Sequence, residues 1–230
     1  MIVDKDFDLF TDIVKCAWKT LRSEQTALIS ILGVPVAISM LCNMPGIAGT
    51  NTVLSLIISA ACYIWLAVAT HRIVLKGSDS ISGQFPFSWS KREVKFSLYT
   101  LGLLVLLFST IIIIGFPLGL LGDQSSVSSR VGGVFMLLLV LYLYARCCLV
   151  FPAIAIDFDM SFTNSWEATV EYKWVMMYAV GLVPIAIGLP AAFLGSAIME
   201  GILYPLTLVL EIAVLSAAFR HIILSEARDE

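Results

Sequence analysis

Long apolar segments dominate this chain and set its class. Each segment is close to or above about 18 residues, the length at which an α-helix spans the hydrocarbon of a bilayer. Charged residues make up 13% of the sequence, against roughly 25% in soluble domains, and the mean hydropathy is +0.94. The sequence therefore predicts an all-α polytopic membrane protein with six transmembrane helices. The predicted crossings are residues 26–48, 53–71, 96–121, 131–146, 175–199 and 201–220.

Three stretches outside the crossings are predicted to be interfacial helices. Residues 5–23 form the clearest of them, because apolar side chains recur every three or four residues opposite charged ones. Residues 85–95 and 160–173 each combine aromatic residues with lysine. We therefore expect one integral membrane domain, residues 1–230, with amphipathic helices at its surface. The apolar face of the first helix consists of Phe7, Phe10, Ile13, Val14, Ala17, Trp18 and Leu21.

The basic residues predict the orientation of the chain. Apart from Arg146, they concentrate in the two terminal tails and in the loops at 71–95 and 157–173, and Arg130 alone falls in a loop on the opposite side. Cytoplasmic loops carry the excess of lysine and arginine, so both termini are predicted to be cytoplasmic. The net charge of −3 gives no argument for a nucleic-acid partner, and the five cysteines have no spacing that indicates a disulfide framework.

Arg146 ends the apolar run that begins at Val131. A guanidinium at the centre of a bilayer costs about 2.5 kcal/mol or more, so its depth matters. Arg146 follows the outer Arg130 by about 24 Å of helix at 1.5 Å per residue, which places it near the cytoplasmic boundary.

Two other arginines end crossings in the same way. Arg72, Arg146 and Arg220 are spaced 74 residues apart, which suggests three copies of one unit at residues 5–76, 85–150 and 160–224. At twice that interval Trp18 matches Trp166 and Gly33 matches Gly181, whereas the middle copy has neither counterpart. A twofold relation with a coincidental middle segment is the alternative.

The three arginines have two interpretations. They can anchor the helix ends at the interface and fix the orientation, with no ligand. Alternatively, Arg72, Arg146 and Arg220 form a rim, with nearby lysines, that binds the headgroups of inner-leaflet phospholipids. Arginine suits the second role because its planar fork matches phosphate.

Glu211 is predicted to lie near the middle of the membrane, about 13 Å from Arg220 along the helix. An ionisable group at that depth is a functional candidate by default. It belongs to a polar face on the last crossing, and a similar face occurs on the second crossing. Two such faces can line a transport pathway, or Glu211 can donate a hydrogen bond that joins two helices. The residues of the two faces are Glu200, Tyr204, Thr207 and Glu211, and Ser59 and Tyr63.

Signatures of known enzyme chemistry are missing from the sequence, so no catalytic residue and no cofactor is predicted. His71, Cys147 and His221 each neighbour one of the three arginines and could together hold zinc or copper. The alternative, which the sequence favours, is that they pack between helix ends and that no metal site exists.

The order R-C-C-L-V-F-P-A-I-A-I-D, then S-F-T-N-S-W, then a second apolar pair, resembles the YciC-like family of bacterial six-helix inner-membrane proteins. The pattern centres on Arg146, Pro152, Asp157 and Trp166. Related sequences form the membrane domain of some glycerophosphodiester phosphodiesterases, whose catalytic domain is separate. The resemblance implies an inner-membrane location and an association with phospholipid.

We therefore expect a non-enzymatic, lipid-interacting protein involved in membrane organisation or envelope homeostasis. A small transporter or channel that uses the polar faces around Glu211 is the alternative. The sequence leaves self-association open, because an oligomer interface and an internal helix face have the same composition.

Overall fold

The computed structural model describes residues 2–42, 52–81, 89–116, 127–186 and 197–225, and within them it is helical with no strand. The helices are α1 Ile2–Ser23, α2 Gln25–Cys42, α3 Thr52–Lys76, α4 Lys91–Gly115, α5 Val127–Cys147, α6 Val150–Ala155, α7 Phe162–Ala168, α8 Lys173–Met177 and α9 Ala197–Phe219. A π-helical turn, Tyr178–Leu182, extends α8 into an apolar helix of Lys173–Ala186, and a second one, Arg220–Leu224, extends α9.

Four helices are long and apolar enough to cross a membrane. They are Val53–Lys76, Lys91–Gly115, Arg130–Ala155 and Leu203–Leu224. The first and fifth predicted crossings correspond to shorter apolar helices, Gln25–Ile38 and Lys173–Ala186, and residues 43–51 and 187–196 lie outside the described part of the chain. The all-helical class is confirmed, and the four long apolar helices indicate a membrane protein. The total of six crossings stays a prediction.

Three of the long helices finish at the same end of the bundle. Arg220, which follows α9, donates a hydrogen bond to the carbonyl of Val74 in the last turn of α3. Arg72 of α3 donates to the carbonyl of Ala155, which closes the short helix after α5. The ends of α3, α5 and α9 therefore meet, and we call this the basic end.

α4 runs in the opposite direction, away from the basic end. It begins beside Asp157, which accepts hydrogen bonds from Arg92 at 3.0 and 2.7 Å. Gly115, the last residue of α4, faces the side chain of Met136 in the first half of α5. The end of α4 therefore lies beside the early part of α5, so these two helices are antiparallel.

Local sequence explains where two of these helices begin and end. Ser90 and Glu93 form a capping box that starts α4, because each side chain accepts a hydrogen bond from a main-chain N–H of the first turn. Gly77 ends α3 with a φ of +85°, a left-handed conformation that glycine adopts without a steric penalty.

Because the cap formed by Ser90 and Glu93 starts α4 at Lys91, residues 91–95 are the first turn of α4. The predicted interfacial helix at 85–95 is therefore wrong for this part. Residues 85–88 lie outside the described part of the chain.

The other two interfacial predictions coincide with helices. Residues 5–23 fall within α1, which buries Ile13 and Ala17 and exposes Trp18. Residues 160–173 contain the short helix α7. The apolar chain after Arg146 becomes α6, whose six residues are all buried. The core is therefore concentrated at the basic end, while α4 exposes large apolar residues such as Phe108.

Candidate functional site

Arg72 lies at the basic end with its guanidinium turned into the protein. It is 9% exposed and donates hydrogen bonds to the carbonyl oxygens of Ser80, at 2.7 and 3.3 Å, and Ala155, at 3.3 Å. The Asp157 carboxylate lies 3.8 Å from its Nη1. Arg72 thus joins the end of α3 to the turn that follows it and to the end of α6.

Arg146 is more deeply buried, at 2% exposure. Its Nη2 donates to the carbonyl of Trp166 at 2.6 Å, and its guanidinium carbon lies 4.6 Å from the centre of the Trp166 ring. The carbonyl of Arg146 accepts hydrogen bonds from Ser165 and Thr169. Among the described atoms, Nε and Nη1 of Arg146 have no hydrogen-bond partner. The contacts of Arg146 therefore fasten the end of α5 to α7.

Arg220 is partly exposed and lines a cavity of about 250 Å³ between α1 and the end of α9. Leu9, Ile13 and His221 also line this cavity. Because Arg220 donates to the carbonyl of Val74, all three predicted rim arginines bind main-chain oxygens of neighbouring segments. They do not form one continuous exposed surface of guanidinium groups.

A different set of basic residues lies near Asp157, and we call it the basic rim: Lys76, Lys91, Arg92 and Lys95. Its three lysines are more accessible than Arg72 and Arg146, whereas Arg92 is mostly buried. Lys76 donates to the carbonyl of Ile156 at 2.8 Å, and Lys95 lies 3.5 Å from Asp159. Lys91 is exposed at the first position of α4 and makes no ion pair within the described residues. The ammonium group of Lys91 is therefore accessible to an anionic group outside the protein.

Asp157 lies at the centre of this rim. It has a φ of +62°, and its carboxylate binds Arg92 in a two-pronged ion pair. The hydrogen bond from Arg92, with the positive charges of Arg92 and Arg72, lowers the pKa of Asp157 below its ordinary value. The sequence identified Asp157 only as part of a family pattern. Its role as an ion-pair centre depends on the turn after α6, which the sequence pattern does not reveal.

Two residues of the predicted polar faces contact each other. The rings of Tyr63 and Tyr204 contact each other edge to face, with centroids 5.0 Å apart. Thr207 donates to the carbonyl of Tyr204 at 2.8 Å, so its hydroxyl is used within α9. Ser59 is partly buried on α3. The side chain of Glu200 lies outside the described part of the structure.

Glu211 is partly buried on α9, close enough to Tyr144 and Tyr204 to interact with them electrostatically. It follows Tyr204 by seven residues, which is about 10 Å along the helix. The structure therefore brings the two polar faces together at Tyr63 and Tyr204, about two helical turns from Glu211.

The three candidate metal ligands have separate environments. His71 is buried, and its Nδ1 lies 2.7 Å from the hydroxyl of Ser216. Cys147 is buried and His221 is exposed. Within the ranges that the structure describes, no group of three or more His, Cys, Asp or Glu side chains is placed to hold a metal ion.

Comparison of the chain with family models, curated proteins and solved structures finds no match.

Proposed function

We propose that this chain is a non-enzymatic bacterial inner-membrane protein that binds anionic phospholipids at its basic end and organises the membrane around it. Four of its five tryptophans carry this proposal, because all four are exposed and belong to segments at or next to the basic end. Tryptophan is enriched at membrane interfaces, where its amphipathic ring lies at the headgroup level. The four are Trp18, Trp89, Trp166 and Trp174.

We also propose six crossings with both termini cytoplasmic. The shared end of α3, α5 and α9 supports this, because the chain must return to the other end of the bundle before each of α3 and α9 begins. α2 and α8 are the apolar helices in those positions. The spacing of Arg72, Arg146 and Arg220 at three meeting helix ends supports the proposed repeat. Membership of the YciC-like family is part of the same proposal.

The basic rim provides a sharper test of lipid binding than the three arginines do. Replacing Arg72 or Arg146 would remove hydrogen bonds that hold helix ends together, so lost binding could reflect lost structure. Lys91 makes no ion pair within the described residues, and Lys95 and Lys76 each make one contact at the surface, with Asp159 and with the carbonyl of Ile156, so replacing these three lysines should disturb the structure less.

The test compares phosphatidylglycerol retained by purified wild-type protein with that retained by a Lys76/Lys91/Lys95→Gln variant, using native mass spectrometry. Each basic residue near an anionic surface contributes about 1 kcal/mol, so binding should weaken at least about tenfold. Arg130→Gln, at the other end of the bundle, is the matched control and should retain the lipid. Equal retention by the triple variant would contradict the proposal.

A transporter is the second candidate, and the contact between Tyr63 and Tyr204 on the polar faces favours it. If this region carries a solute or proton, Glu211→Gln should abolish flux in reconstituted vesicles while Thr207→Val reduces it less. Unchanged flux, or no flux in the wild type, would leave phospholipid binding as the proposed function.

A further inference from the structure

An apolar groove lies between α1, α8 and α9, and no residue of the basic rim lines it. Its volume is about 660 Å³, within the range of roughly 300–1,000 Å³ that is typical of small-molecule sites. Residues from all three helices line it, including Phe7, Val14, Trp18, Leu182, Ile185 and Leu210.

The lining indicates an apolar occupant. Among the residues that line the groove, only Thr11 and Trp18 have side chains that can form hydrogen bonds. The Thr11 hydroxyl already donates to the carbonyl of Phe7 at 2.9 Å. Leu182 and Ile185 are exposed on the α8 wall, so the groove is continuous with apolar surface.

The size of the groove favours a hydrocarbon chain over a helix of a partner. A helix about 10 Å wide with a rise of 5.4 Å per turn occupies roughly 420 Å³ per turn. The groove would hold fewer than two turns, so a partner helix could place only part of its surface in it. A single extended acyl chain fits within this volume.

Charge next to the groove identifies the class of lipid. Residues 13–23 of α1 include three basic residues and no acidic one. Lys15 pairs with Asp12 at 3.0 Å, whereas Lys19 and Arg22 are exposed and make no ion pair within the described residues. Each of these two directly follows a residue that lines the groove. Bilayer hydrocarbon is as apolar as the groove, so a preference for one lipid must come from packing and from headgroup charge.

We propose that the groove between α1, α8 and α9 holds one acyl chain of an anionic phospholipid whose headgroup lies against Lys19 and Arg22. This inference rests on the proposed lipid-binding function and adds a second, structurally separate contact to it.

The test uses phosphatidylglycerol with a photoreactive diazirine in one acyl chain, in vesicles of equal parts phosphatidylglycerol and phosphatidylcholine. After irradiation, the labelled peptides are mapped by mass spectrometry. In the wild type, α1 and α8 should both be labelled at groove residues.

Ala186→Phe and Val14→Phe each fill the groove from a different wall, and either should reduce labelling of α1 about tenfold, equivalent to roughly 1.4 kcal/mol. Ala60→Phe is the matched control, because Ala60 is an exposed alanine on α3 that does not line the groove. Unchanged labelling of α1 in both groove variants would overturn the proposal.

A second measurement examines the headgroup. Lys19/Arg22→Gln should lose the preference for phosphatidylglycerol over phosphatidylcholine while the groove still takes up a chain. If the basic-rim variant loses lipid but the groove variants keep their labelling, the groove proposal fails and the proposed function stands. A different result would be a wild-type protein that is dimeric and takes up no label, together with groove variants that are monomeric. In that case a second copy of the chain occupies the groove and the proposal is wrong.

Discussion

Arg146 shows how the chain accommodates a charge at the end of an apolar helix. Its distance from Arg130 predicted a position near the membrane boundary, and the structure places it at the end of α5, where α7 covers it. Its partner Trp166 could not be predicted, because the contact depends on the turns between α5 and α7.

Arg146→Lys should therefore destabilise the fold by about 1–3 kcal/mol, since an ammonium cannot both stack on Trp166 and reach its carbonyl. The measurement is unfolding by SDS in mixed micelles. Arg130→Lys, exposed at the other end of the bundle, should unfold like the wild type. Equal stability of the two variants would show that the stack contributes nothing.

The stability of the basic end should depend on pH because of the Asp157 carboxylate. The hydrogen bond from Arg92 lowers its pKa from the ordinary value of 3.8, so its contribution is present above that value and is lost as pH falls through the folded pKa. Asp157→Asn should be less stable than the wild type at neutral pH, and the difference in unfolding by SDS should shrink below about pH 4.

Asparagine is the suitable replacement because it tolerates the φ of +62°. The carboxylate of Asp157 is 59% exposed, so the effect should be at most about 1 kcal/mol. Asp159→Asn is the control, since its carboxylate is fully exposed and lies 3.5 Å from Lys95. A pH-independent difference would contradict the role of the Asp157 charge.

At the scale of single elements, the sequence predicted the helices better than their ends. Apolar runs identified α3, α4, α5 and α9, because burial in a membrane requires helices to be long and apolar. The start of α4 at Lys91 was missed, since the aromatic residues and lysine of residues 85–95 suggested an interfacial segment, whereas the Ser90 and Glu93 cap determines the helix start.

Replacing Gly77 tests whether α3 ends where it does because glycine occupies this position. Gly77→Ala should lower stability by about 1 kcal/mol, because alanine is strained at a φ of +85°. Gly33→Ala is a control of opposite sign, since a methyl group there meets nothing within 4 Å and should stabilise α2 by about 0.5–1 kcal/mol. Both are measured by unfolding in mixed micelles, and equal effects would contradict the argument.

At the scale of the whole molecule, the directions of the helices support the proposed six crossings. α1 contacts the end of α9 at the basic end, and α3 finishes there beside Arg220. α2 joins α1 to the start of α3, so we infer that it leads away from the basic end. The same reasoning applies to α8 between α7 and α9. Apolar length and basic loops predict this alternation from the sequence, whereas the packing of α6 and α7 depends on tertiary contacts that the sequence does not reveal.

Cysteine labelling tests this alternation directly. Cys16 is exposed and is replaced with serine, and Cys42 with alanine, whereas the buried Cys62, Cys147 and Cys148 can stay. Single cysteines are then introduced as Lys19→Cys, Lys91→Cys and Arg130→Cys. A membrane-impermeant maleimide added to intact spheroplasts should label only the cysteine at position 130, and the other two should react after lysis. Labelling at position 19 from outside would mean that α2 does not cross, and the six-crossing proposal would fail.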